Sequence, residues 1–435
     1  MKPIVYAYPR DKEAIVARLR PRRALYDRSV LQGVYRIFDE VSAGGDAAVK
    51  AATATFDGVE LDKIELTRAQ IEAYAASVPA PLRAAMETAM AHIEETNRAL
   101  LPKSWTKQIR PGTVLGEKVV PLDSVGIWIP CRKGPLVSTA LMLVTAAKTA
   151  GVKEIAVGMP PSKDGSADAG TVAAARLAGA HRFVVGNGVA VIAGFTNGTE
   201  SIPRVAGVFG PGPGGIAAAM SVAQSYGVKT ALGLGPTECV VLADDTADPR
   251  LVALDLINEA EHGPDSAAIL VTVSAALAAE TADRLRDEIG RAAESKREIL
   301  RHVFGPEGTG TIVTADSLED ACDWVSDFAP EHVMIVGTDR TKADALARIR
   351  NAGEILLGAY TPFSAANYAI GIPAVLPTNG FARSFSGVTS RDMVKISTVG
   401  ELSRRALEEL VPIVEKLGEY ERLPGHVQAA EARFR

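Results

Sequence analysis

Between residues 119 and 360 the chain alternates short apolar runs with runs of helical period, and this alternation constrains the fold more than any other feature. The stretch 119–130 reads as a short strand pair with turn residues. After it, helical runs at 138–151, 169–180, 189–200 and 214–227 separate apolar runs at 153–161, 181–187 and 204–210. A second series follows, with strand-like runs at 239–245, 267–274, 309–316, 331–337 and 354–360. Helical runs at 249–263, near 275–303 and near 341–352 lie between them. Continuous apolar strands alternating with helices predict a parallel sheet covered on both faces. Two such series predict two related α/β units. The first 110 residues and the segment 399–423 carry apolar residues at three-to-four spacing among charges and read as helical. Pro- and Gly-rich stretches at 159–170 and 210–215 are loops too short to free a domain.

The net charge of −5 and the lack of a large basic block argue against nucleic acid as a partner. The small cluster from Arg18 to Arg23 reads as a solvated or salt-bridged face. No run is long and apolar enough to be a signal peptide or to span a bilayer, so no membrane partner is expected. Cys131, Cys239 and Cys322 are odd in number and widely spaced, which suits reduced thiols in a cytoplasmic protein.

Three of the six histidines are candidates, and two of them stand beside carboxylates. Glu259 and His262 are three apart at the end of an apolar helix, a workable carboxylate–imidazole pair for a metal. A helix C-terminal histidine favoured by the dipole has the same spacing. Glu331 and His332 follow Pro330 at the mouth of a buried strand, where charges are rarely placed without a role. They are candidates for acid–base work, or for a salt-bridged edge. His426 lies near the C-terminus, where a lone histidine carries little signal. Gly210 to Gly215 formally fits a dinucleotide-type glycine pattern, but Pro211 and Pro213 remove two amide donors.

In order along the chain, the pieces at 234–249, 253–272, 328–336, 351–358 and 371–380 resemble the histidinol dehydrogenase family, over roughly 110–430. The resemblance implies two Rossmann-like parallel-sheet domains with a helical N-terminal segment and a helical C-terminal tail. Its boundaries would be an arm at 1–25, a discontinuous α/β domain at 26–127 and 236–385, a second α/β domain at 128–235, and a dimer-forming segment at 386–435. It implies zinc, and NAD-dependent oxidation of an amino alcohol in two steps. The four zinc positions carry Glu259, His262, Asn367 and His426. Relative to the family, an amide has become a carboxylate at the first, and a carboxylate an amide at the third, so formal ligand charge is kept. Glu331 and His332 match the catalytic pair, Thr237 and Glu421 match substrate contacts, and Trp128 matches a cofactor contact. The family's tail reaches into a neighbouring subunit's site, so a homodimer is implied.

The departures from the family are equally specific. Pro373 and Ala374 stand where the family contacts the imidazole. Ala190 and Pro213 stand where it holds the cofactor, and Arg132 and Lys133 replace a glycine-rich turn. The expectation is a zinc-dependent oxidoreductase acting with NAD on a small polar alcohol without an imidazole ring. The alternative is a metal-dependent hydrolase, lyase or isomerase that no longer uses NAD.

Overall fold

A computed structural model describes residues 3–19, 28–212 and 214–434, with the Lys133 side chain left out. Arg20, Arg22, Arg23 and Pro213 therefore lie outside the described residues. Arg18 does not face solvent alone: its guanidinium donates to the carbonyls of Gly305 (2.8 Å), Pro306 (2.9 Å) and Gly310 (2.9 Å).

The chain forms two compact units, residues 1–100 with 123–393 and residues 101–122 with 394–435. The larger contains two parallel sheets. One has six strands, ordered Ile4–Tyr8, Thr311–Ala315, Ala267–Thr272, Glu238–Ala243, His332–Val336 and Glu354–Leu357. The other has five, ordered Arg182–Val185, Glu154–Met159, Ser124–Trp128, Gly207–Phe209 and Lys229–Thr230. The predicted α/β class with parallel sheets is what the chain adopts. The strands are apolar throughout because both faces are covered. On the central strand, Cys239, Val241 and Ala243 join one core, while Val240 and Leu242 join the core on the opposite face.

In the five-stranded sheet the strand at 124–128 is first in sequence and lies third in space. Its next two strands go to one side and the last two to the other, so the strand order reverses between Trp128 and Phe209, the place where open sheets of this kind bind ligands. Phe195, fully buried, packs over this sheet where Gly126 and Gly158 leave room. A Cβ on Gly126 would come within 2.5 Å of its ring.

Helix Gly188–Asn197 starts on a side-chain cap, Asn187 Oδ1 accepting from the amides of Val189 (3.1 Å) and Ala190 (3.4 Å). Asn187 Nδ2 also donates to Asp57 at 2.9 Å. Asn187→Ala is expected to lower stability by about 1–2 kcal/mol in a urea titration, and a loss below about 0.3 kcal/mol would remove the cap from the account.

Four details differ from the sequence reading. Ile4–Tyr8, inside the stretch read as helical, is a strand pairing with Thr311–Ala315. The stretch 119–130 is no strand pair: its first residues end strand Thr113–Pro121 in the smaller unit, and Ser124–Trp128 is central in the five-stranded sheet. The long helix near 275–303 is two, Ala275–Arg291 and Glu294–Val303. Residues 399–402 close strand Val394–Leu402, and the helix begins only at Arg404, after a Ser403 cap.

The smaller unit is a three-stranded antiparallel sheet, Val394–Leu402, Thr113–Pro121 and Trp105–Arg110, with helices Arg404–Tyr420 and Pro424–Glu431. Among the described residues, no helix is long and apolar enough to cross a membrane.

Candidate functional site

The site lies where the six-stranded sheet begins. Helix Pro249–Ala260 starts on the Asp248 cap with Pro249 at its first position, and ends so that Glu259 falls in its last turn. Glu259 is 1% exposed. His262 follows the helix end, its ring about half exposed, with Nε2 3.4 Å from Glu259 Oε2. Asn367, on the short helix Phe363–Tyr368, donates from Nδ2 to Glu259 Oε1 at 2.9 Å. Asn258 donates to the same oxygen at 2.7 Å.

The next strand supplies the acid–base pair. His332 is the first residue of strand His332–Val336 and is 3% exposed. Glu331, just before it, is 7% exposed, and its Oε2 lies 3.6 Å from His332 Nε2. That oxygen also accepts from the Glu238 amide at 3.0 Å. Thr237, one residue earlier, is half-buried, and its carbonyl accepts from the Ala267 amide at 3.0 Å. His332 Nε2 lies 4.0 Å from Glu259 Oε2. Phe363 meets the imidazole edge-on at 5.7 Å.

One residue here was not singled out in the sequence. Glu354 begins strand Glu354–Leu357, which pairs with His332–Val336 so that His332 and Glu354 are register partners. Its Oε1 lies 2.5 Å from His332 Nδ1. The sequence carries a signal for it, a carboxylate at the head of an apolar strand, as at Glu331.

Three buried carboxylates thus face one imidazole. Burial alone would lower the pKa of His332, but Glu331, Glu259 and Glu354 outweigh it and push the pKa up to about 10. Asp255, one turn before Glu259, is pushed up to about 7 by burial and by Glu259. Negative charge is in excess among these groups, and Glu259 Oε2 is buried without a hydrogen-bond partner. Such an oxygen facing a His262 nitrogen suits a bound cation, and the donor set of carboxylate, imidazole and amide suits zinc. Among the described residues, no group of three or more His, Cys, Asp and Glu is placed to hold a metal, so the amide Asn367 is needed in that set.

The remaining candidates are on other elements. Glu421 caps the end of helix Arg404–Tyr420, and His426 lies on Pro424–Glu431; both are exposed on the smaller unit. Trp128 is 3% exposed in the core above the five-stranded sheet, with its Nε1 unpartnered. Ala190 is fully buried in the same core. Arg132 pairs with Asp57. The turn after Phe209 reaches towards the site, since the Gly212 amide donates to the Leu234 carbonyl at 3.2 Å, three residues before Thr237.

Comparison with known proteins gives a consistent result. The profile of the histidinol dehydrogenase family matches residues 20–434. A histidinol dehydrogenase from Synechocystis sp. is 38% identical over 400 residues, covering 91% of each chain. A protein from Colwellia psychrerythraea described as a histidinol dehydrogenase homolog is 36% identical over 396 residues, covering 90% of this chain and 88% of its own. The crystal structure of histidinol dehydrogenase from Elizabethkingia anophelis superposes with a TM-score of 0.92 at 29% identity, covering 99% of this chain and 98% of that one.

Proposed function

The chain belongs to the histidinol dehydrogenase family of oxidoreductases, and on that premise we propose that it oxidises a small polar alcohol lacking an imidazole ring, with zinc and NAD. The observation that carries this reading is the unpartnered, buried Glu259 oxygen facing His262, beside the Glu331–His332 pair.

Glu259, His262 and the Asn367 amide oxygen would hold the zinc, with His426 of the partner subunit completing the set in a homodimer. Bound zinc would orient and polarise the alcohol oxygen, and NAD would accept the electron pair. The chain's own work is proton transfer and positioning. His332, from Nε2, takes the hydroxyl proton in the first oxidation. Glu331 takes a proton from the water that adds to the aldehyde in the second. Thr237 and Glu421 would bind the substrate's polar groups, Glu421 from the partner subunit. Pro373 and Ala374 offer no side-chain hydrogen bond to a ring nitrogen, which supports a substrate without imidazole. For NAD, the reversal of strand order after Trp128 and Phe209 is the place where open sheets of this kind take a dinucleotide.

A second reading has its own support. Ala190 is a core residue with no side-chain donor, and Pro213 has none either, at two of the family's cofactor positions. That favours a hydrolase, lyase or isomerase using the metal and Glu331 without NAD.

The test is calorimetric titration of the zinc-loaded protein with NAD, beside a metal-free control, followed by a screen of polar alcohols against histidinol. Saturable NAD binding and reduction of NAD by a non-imidazole alcohol are expected. Turnover of histidinol in preference to every other alcohol would sink the substrate assignment. No NAD binding by protein that holds zinc would favour the second reading.

A further inference from the structure

We propose that Glu354 is a positioning residue for His332: its carboxylate accepts a hydrogen bond from Nδ1–H and so makes Nε2 the nitrogen of the neutral ring that faces the substrate. This rests on His332 acting as the base in the oxidation proposed above.

A neutral imidazole carries its proton on either nitrogen, and only one tautomer has Nε2 free to accept a hydroxyl proton. His332 Nδ1 lies 2.5 Å from Glu354 Oε1, while Nε2 points to the side occupied by Glu331 at 3.6 Å and Glu259 at 4.0 Å. A carboxylate at Nδ1 requires the proton there, because two acceptors cannot share the contact without one. Nε2 is thereby assigned as the nitrogen that loses and takes up the exchangeable proton, and it is the acceptor in the neutral ring.

The placement of Glu354 is over-determined. His332 and Glu354 are register partners at the heads of adjacent parallel strands, and Met334 and Leu356, two residues along each, enter the same core. The Glu354 amide donates to the Glu331 carbonyl at 2.9 Å, and the Gly353 amide to the Pro330 carbonyl at 3.0 Å. The backbone that carries the acid–base pair is thus tied to the backbone that carries Glu354. Phe363, fully buried and edge-on to the ring, blocks its rotation from the side.

The carboxylate is not placed there by other hydrogen-bond partners. Glu354 is 9% exposed, and its second oxygen is buried with no hydrogen-bond partner. A buried carboxylate with so few compensating bonds is costly. Its contact with His332 is what offsets that cost, and an apolar residue at the head of this strand would fold with less penalty. Glutamate here is therefore read as a requirement of the imidazole.

The experiment uses the full-length, zinc-loaded protein and the variants Glu354→Ala and Glu354→Leu. Imidazole nitrogen-15 spectra, with His332 assigned by its loss in His332→Gln, report the tautomer without any need for turnover. Above the pH at which the imidazolium loses its first proton, the wild-type ring is expected to keep the remaining one on Nδ1, and Glu354→Ala to show a mixture or the Nε2 form. Zinc stoichiometry is expected to stay unchanged. With the alcohol found in the screen, kcat is expected to fall about 10²-fold in Glu354→Ala while KM moves within about threefold. A purely structural role would lower stability without moving the tautomer or kcat of the folded fraction. If Glu354→Ala does not fold, Glu354→Leu, which fills the space and has no acceptor, carries the same comparison. A neutral wild-type ring that keeps its single proton on Nε2, or a kcat within about twofold of wild type in Glu354→Ala, would overturn the assignment. If no alcohol is oxidised, the dehydrogenase reading fails, and the tautomer still decides the role of Glu354.

Discussion

Replacing His332 with glutamine is expected to lower turnover by about 10³–10⁴-fold, the upper range for a positioned general base. The ring stands 3.6 Å from Glu331 and 4.0 Å from Glu259, at the head of a strand locked between two neighbours, so no other imidazole nitrogen in the described site takes its place at that point. His262, the other imidazole of the cluster, is assigned to the metal and is half exposed. Glutamine keeps a polar group opposite Glu354 but has no basic nitrogen. The loss should therefore fall on kcat, with KM and zinc content nearly unchanged, since the substituted group acts on the proton and not on binding. Steady-state kinetics and metal analysis of the same preparation test this. A variant that retains more than about a tenth of wild-type kcat would mean that another group takes the proton.

The second large effect is on stability. Phe195→Ala is expected to cost about 3–5 kcal/mol, the usual range for emptying an aromatic site in a core. Phe195 is fully buried, and Gly126 and Gly158 lack side chains where its ring packs. The surroundings cannot collapse easily, because the ring is flanked by strand backbone on the sheet side and by Val191 and Ile202 in the same core. Differential scanning calorimetry should show a drop of the unfolding midpoint by about 5 °C or more. A drop below about 1 °C would show that the ring is not packed as described. The site at the six-stranded sheet should keep its zinc in this variant at a temperature where it remains folded.

Part of the candidate site was legible because chemistry and periodicity conflict there. Glu259 ends an apolar helix, and Glu331 and His332 open an apolar strand; each is a charged group where local pattern calls for burial. Glu354 has the same mark, yet it stands 22 residues from His332 and looked like the polar start of an ordinary strand. Strand Ile4–Tyr8 was lost for a different reason: five residues at a sheet edge, ahead of a charged helix, carry too little period-two signal. Strand Val394–Leu402 was misread near its end because nearly all of its side chains are exposed, so its charges imitate those of the helix that follows.

What the sequence by itself determined is the α/β class, the approximate places of most parallel strands, and the helix end and strand mouth that carry Glu259, His262, Glu331 and His332. These follow from periods of 2 and 3.6 residues and from the rarity of buried charge, which are local properties. Only the tertiary structure decided that Ser124–Trp128 stands between the two halves of its sheet, that Trp128 is buried in the core, and that Glu354 closes on His332. Those depend on strand order and register, and parallel strands bring together residues that the crossover separates in sequence, so no local pattern encodes the contact.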